Sequence, residues 1–210
     1  MLASLRPAIP TGAELTAILV VVCFSAGLNV YATVGMLGIL ARTGALALPP
    51  TLHSVESTYV IAICAVLFAI EFIGDKIPIF DLLWNALHTF VRIPIAALLA
   101  YGATAQLPPW EQALATFLGA LIAFAAHGGK IAARTAVTHS PEPFSNIALS
   151  LGEDVAVVFL TWLATRHPYA AAAIVGVALV LIVLMIRFVL LALRRMFADT
   201  RRTIDLRPAA

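Results

Sequence analysis

Charge is what this sequence has least of. Only 11% of its 210 residues are Asp, Glu, Lys or Arg, 62% are hydrophobic, and the mean hydropathy is +1.00. A soluble domain is about a quarter charged and under half apolar, which excludes that class. Neither sign dominates, because 13 Lys and Arg against 11 Asp and Glu leave a formal net charge of +2. With so small a balance and no basic cluster interleaved with aromatics, nucleic acid is not an expected partner. Only two cysteines occur, Cys23 and Cys64, both within apolar runs. They read as small buried hydrophobes, and no disulfide framework follows. The five histidines include no H-x-x-x-H or H-E-x-x-H pair, so nothing assigns a metal. Ser, Cys and His form no nucleophile arrangement, which argues against an intramembrane hydrolase. The expectation is a protein that is not an enzyme and carries no cofactor.

What the chain does have is long apolar runs, several at or above the roughly 18 residues that mark a membrane helix. The expected fold is all-α, a polytopic protein of the lipid bilayer with about six transmembrane helices. The runs fall at about 15–41, 57–74, 91–107, 111–133, 146–165 and 169–193, and an amphipathic stretch over 79–90 leads into the third. The first run is long enough to tilt, or to break near its glycines. Arg6 precedes it, but Pro10 and Glu14 intervene and the run exceeds a signal-peptide core, so a retained helix is expected. Arg194, Arg195, Arg201, Arg202 and Arg207 load the C-terminal tail, which the positive-inside rule places in the cytoplasm. Six spans then put both termini on that side, with Lys76, Lys130 and Arg134 near it and Trp110 and Tyr169 at the outer interface.

The two halves carry a hint of duplication. "FSAGLNVYAT" at 24–33 and "FAAHGGKIAA" at 124–133 share a Phe, small residues and a polar centre, and "LPPTL" and "SPEPF" then each precede a span. Residues 1–109 would form one three-helix repeat, and 110–210 the second with its basic tail. Three spans per half require the halves to be inverted, a 3+3 repeat of the kind that builds secondary transporters.

Few polar side chains fall inside the runs, and each can be named. Asn29 lies mid-span beside Gly27. Glu71 and Asp75 are four apart on one helical face, as are Lys130 and Arg134. Glu153 and Asp154 lie roughly 12 Å into the fifth run at 1.5 Å per residue. Arg92 opens the third run, and Lys76 follows Asp75. A charge at mid-membrane costs about 3 kcal/mol on insertion scales. Adjacent carboxylates cannot point the same way on a helix, so at least one needs a cation, a proton or a wet cavity. These groups either form a substrate or proton path or lock the bundle as ion pairs, with Glu71 on Lys130 a natural choice. Arg187 reads as a snorkelling residue. In "THSPEPFSN", Ser145 or Asn146 is either an ordinary N-cap or the start of a re-entrant helix facing a cavity.

"GLNVYATVGMLGILARTG", "IEFIGDKIPIFDLLWNALHTFVRIP", "HGGKIAARTAVTHSPEPFSN" and "LSLGEDV" together resemble the domain of unknown function 4126 family of bacterial membrane proteins, in order and over about residues 15–195. The resemblance implies a compact multi-pass protein of the bacterial inner (plasma) membrane. The motif positions it carries over are Asn29, Tyr31, Glu71, Asp75, Lys76, Asp81, His88, Arg92, Lys130, Arg134, Asn146, Glu153 and Asp154. A looser similarity links "EFIGDKI" to cation exchangers whose inverted repeats each carry E-x-G-D-[KR]-[ST]. Here the motif is one residue longer and ends in Ile77, and Glu153–Asp154 has no following Lys, so the similarity is an analogy.

The leading expectation is a small transporter or channel for a small ion, cation or proton-coupled, with its polar site at the repeat interface. Asn29, Glu71, Asp75, Glu153, Asp154 and Asn146 would bind the ion. Lys76, Arg92, Lys130 and Arg134 would be charge partners, or would hold the phosphate of an anionic lipid in an alternative lipid-handling protein. A non-transporting scaffold is the second alternative. Ala125, Gly129 and Ala133, at spacing four, favour close helix packing within a protomer or in a homo-oligomer.

Overall fold

The computed structural model describes residues 7–138 and 143–205, with the side chains of 78–82, 135–138, 143–146, 189–190 and 192–205 outside the described set. The described residues are all-α. The helices are α1 (Gly12–Leu28), α2 (Val30–Arg42), a short 3-10 helix (Pro50–Glu56), α3 (Thr58–Gly74), α4 (Pro78–Ala103), α5 (Pro109–Thr138), α6 (Pro143–Arg166) and α7 (Pro168–Asp205). Each of the last four starts on a proline, whose fixed φ and missing N–H suit the first helical turn.

Four helices contain stretches long and apolar enough to cross a membrane: Leu83–Ala103, Pro109–Arg134, Ile147–Arg166 and Pro168–Phe188. The 3-10 helix and α3 together make a fifth, bent by 59°. This is the pattern of a multi-pass membrane protein. The run expected at 15–41, to tilt or to break near its glycines, breaks: it is two short helices of 17 and 13 residues, separated at Asn29. There the backbone turns extended, with φ −148° and ψ 103°. The Asn29 side chain accepts from the Ala32 N–H at 3.0 Å, so it ends one helix and caps the next. The 79–90 stretch leads into the third run, as expected. It is the first half of α4, and its polar residues Asn85 and His88 turn inward and are buried.

The core surrounds α1, which packs against α2, α4, α5, α6 and α7. From Val21 to Gly27 every residue of α1 is buried, as expected for a helix apolar on all sides. Val21, Phe24, Leu37, Leu40, Leu99 and Leu160 form the main apolar cluster. One close approach sets this geometry: a Cβ built on Gly27 would lie 2.4 Å from the Ala123 carbonyl oxygen of α5. Only glycine lets the two backbones come that near. Gly129 makes room for the side chain of Ile182 of α7, which would lie 2.8 Å from a Cβ built there, so this part of the small-residue stripe is used within the chain. The outer surface is the reverse of a soluble protein's. In the α7 span only 11% of residues are buried, at a hydropathy of 2.8, and Tyr59, Phe90, Phe117 and Phe188 are exposed.

Candidate functional site

The break at Asn29 matters because of what surrounds it. Ending α1 at Leu28 leaves its last carbonyls without helical partners. The Leu28 carbonyl accepts instead from Lys130 Nζ of α5 at 3.2 Å, a cation at the negative end of a helix dipole. Close packing of Gly27 on α5 is what brings that lysine within reach.

Lys130 also sits at the centre of a buried charge cluster. Its Nζ lies 3.3 Å from Asp75 Oδ2, 3.3 Å from Glu153 Oε2 and 3.6 Å from Glu71 Oε1. Arg134, one turn further along α5, donates from Nη2 to Asp75 Oδ2 and to Glu153 Oε2, both at 2.7 Å. Arg92 of α4 pairs with Glu71 through Nη2. Glu71 and Arg92 are fully buried. Four helices, α3 to α6, thus contribute three acids and three bases. Transferring such ions from water costs several kcal/mol each, so they stay charged only through mutual pairing and hydrogen bonds. Burial by itself would raise the Asp75 carboxyl, but Lys130 and Arg134 beside it outweigh that and hold it below the ordinary carboxylate range.

A second layer of hydrogen bonds fixes Arg92. Its Nη1 donates to Asn85 Oδ1 at 3.1 Å and to His127 Nδ1 at 2.9 Å. An arginine can only donate, so His127 accepts at Nδ1 and donates from Nε2, which faces Thr89 Oγ1 at 2.8 Å and the Asn85 carbonyl at 3.2 Å. Nearby, His88 donates from Nδ1 to the Trp84 carbonyl at 2.8 Å, so its Nε2 receives the Tyr31 hydroxyl at 2.9 Å.

Asp154 stands apart from this cluster. Its Oδ1 accepts from Asn29 Nδ2 at 2.9 Å, and no base lies within ion-pair distance of it among the described residues. Its Oδ2 is buried without a hydrogen-bond partner among them.

The structure therefore brings together Asn29, Glu71, Asp75, Glu153, Asp154, Arg92, Lys130 and Arg134. It does not bring in Lys76, whose Nζ turns back to the Phe72 carbonyl at 2.6 Å and lies over the Phe72 ring. A lysine at the end of an apolar helix does this readily, because its own aromatic neighbour offers both a carbonyl and a π-face. The side chains of Asn146 and Asp81 lie outside the described residues. Glu71 on Lys130 is present, but Arg92 is the closer partner. Asn85, Thr89 and His127 are additions. The spacing of Asn85, Thr89 and Arg92, at i, i+4 and i+7, is the signal that could have marked one polar face on α4. Among the described residues no group of three His, Cys, Asp or Glu side chains could hold a metal ion.

No curated protein and no solved structure is significantly similar to the chain. The family model of the domain of unknown function 4126 matches residues 16–188, and the chain belongs to that family.

Proposed function

We propose that the protein is a small transporter or channel of the bacterial inner membrane, carrying a small ion, cation or proton-coupled, and is not an enzyme. In this reading residues 1–109 and 110–210 are inverted three-helix halves, with α1 and α2 together counting as the first of six spans and both termini cytoplasmic. One observation carries it: a helix broken at a fully buried Asn29 abuts a cluster of buried acids inside a bundle whose outside suits lipid. Broken helices that present their ends to a central polar site are the working parts of secondary transporters. Intramembrane ionisable groups are expensive and mark ion paths by default.

The anionic-lipid alternative draws less support. A phosphate would have to displace Glu71, Asp75 or Glu153 from bases that they already occupy. The scaffold alternative accounts for the paired charges but not for an acid left without a base.

The test is charge movement by proteoliposomes on a solid-supported membrane, against a panel of cations, anions and pH steps, with dye-reported flux for electroneutral exchange. Wild type should respond to one ion, and Asp154→Asn and Glu71→Gln, each shown to be folded, should abolish the response. Silence of folded wild type in both assays would overturn the transport reading.

A further inference from the structure

The charges in the polar core can be paired off, and one acid remains. Arg92 is taken by Glu71, Arg134 by Asp75 and Glu153, and Lys130 by all three acids. Asp154 is the fourth acid and has no base of its own among the described residues. It is 6% exposed, so it has no water shell to replace the missing cation. Beyond it lies an open groove of about 520 Å³ between α2, α3 and α6, walled by Met36, Phe68, Phe72, Leu151, Val158 and Trp162. That wall offers a carboxylate nothing to bond with.

The amide of Asn29 decides what ligand this carboxyl suits. Asn29 Oδ1 is committed to the Ala32 N–H that caps α2, so its Nδ2 must face Asp154. Asn29 therefore presents Asp154 with a donor. A metal cation held here would need acceptors around it, and the nearest amide turns its hydrogen toward the site. A proton needs none. It can add to Oδ2, which has no partner among the described residues, while Oδ1 keeps its bond from Asn29. No other bond changes, and the uncompensated negative charge is removed.

Other ionisable groups act on Asp154 from around it. They are Lys130 of α5 and, on the α3 side, Glu71 and Asp75, with Glu153 next to it on its own helix. On α1, Ser25 sits one turn from Asn29, and on α2 Tyr31 is bonded to His88. Tyr169 and Arg187 of α7 are exposed. The six paired side chains balance one another, so no full cation remains for Asp154.

We infer that Asp154 is the group through which a proton binds to and leaves the protein, the six paired charges forming a fixed frame around it. The inference rests on the ion-transport reading and narrows its ion to the proton.

The experiment is pH-step infrared difference spectroscopy on the full-length protein in lipid nanodiscs, following the carbonyl stretch of protonated carboxyl groups. Wild type should show a titrating band that shifts in deuterated buffer. Asp154→Asn should lose it, and Glu153→Gln should keep it. A band that survives Asp154→Asn, a band lost only in Glu153→Gln, or no titrating band in wild type would each overturn the inference. Should Asp154→Asn misfold, carboxyl-¹³C aspartate in wild type decides: a band that does not move on labelling is not an aspartate's, and the inference falls. None of these readouts needs transport. A titrating Asp154 in protein that moves no ions would leave Asp154 as the proton-binding group and sink the transporter reading, and with it the narrowing of a transported ion to the proton.

Discussion

Glu153 and Asp154 are neighbours in sequence and opposites in setting. About 100° of helix separates them, enough to turn Glu153 toward α5 and Asp154 toward α1. Glu153 meets Arg134 at 2.7 Å and Lys130 at 3.3 Å, while Asp154 meets a single amide. The same chemical group is locked in one place and left open in the next. What decides is the helix opposite: α5 carries bases at this level, and α1 is broken there by an asparagine. A locked acid stabilises the bundle, and an open one can change state without dismantling it.

The largest effect should come from breaking the locked side at its most buried pair. Arg92→Met leaves Glu71 fully buried without its closest cation, and removing one partner of such a pair costs about 3–5 kcal/mol. Thermal unfolding in detergent should show the loss. Adding Glu71→Gln should recover much of it, since the stranded charge is gone; no recovery would mean that packing of the arginine, not its charge, is what matters there.

Next comes the contact that brings the two sides together. Gly27→Val must push α1 off the Ala123 backbone, a strain of about 1–3 kcal/mol typical of overpacking. It should also part Lys130 from the Leu28 carbonyl. Hydrogen exchange at the α1–α2 junction should quicken in Gly27→Val. Unchanged exchange would show that the break does not depend on that close approach.

Acid should separate the two sides further. Asp75 is held below its ordinary range by Lys130 and Arg134, after burial is outweighed. A depressed folded value means that its stabilising contribution is complete above the unfolded value, near pH 4, and is lost as pH falls through the folded value. Melting temperature should therefore fall on acidification below about pH 4, and Asp75→Asn should flatten that limb while lowering stability above it. An equally steep limb in Asp75→Asn would assign the acid sensitivity to other groups.

Much of this was legible in one sequence, and the reason for each failure is physical. Apolar run length marks a helix against lipid whatever its partners, so the membrane class and most spans could be read directly. The i, i+4 pairs Glu71–Asp75 and Lys130–Arg134 and the adjacent Glu153–Asp154 stood out because charge is rare here. A break in the first run could be expected from its length and glycines, but not its placement at Asn29, since one asparagine in an apolar stretch costs little by composition. Its effect comes from a cap to Ala32 and a bond to a residue 125 positions away. His127 joins Asn85 and Thr89 across two helices, a pairing that no local spacing encodes. Lys76 looked like part of the charge group because it follows Asp75, yet direction along a helix end, not order in the chain, decides its partner.

The smallest change sharpens the comparison most. Asn29→Ala removes the cap on α2, worth about 1 kcal/mol, and takes away the only donor to Asp154 Oδ1 among the described residues. Asn29→Asp keeps an acceptor for the Ala32 N–H but sets a second carboxyl against Asp154, at the distance where two such groups share one proton. If the open side is a place where charge changes, stability in Asn29→Asp should fall more steeply from mildly acidic to alkaline pH than in Asn29→Ala, which sets no second carboxyl against Asp154. Adding Asp154→Asn to Asn29→Asp should bring that slope back to the wild type's, because an amide again faces a single acid across the break. The locked side reverses only when charges are removed in pairs, as with Arg92 and Glu71, because there every acid already has a cation.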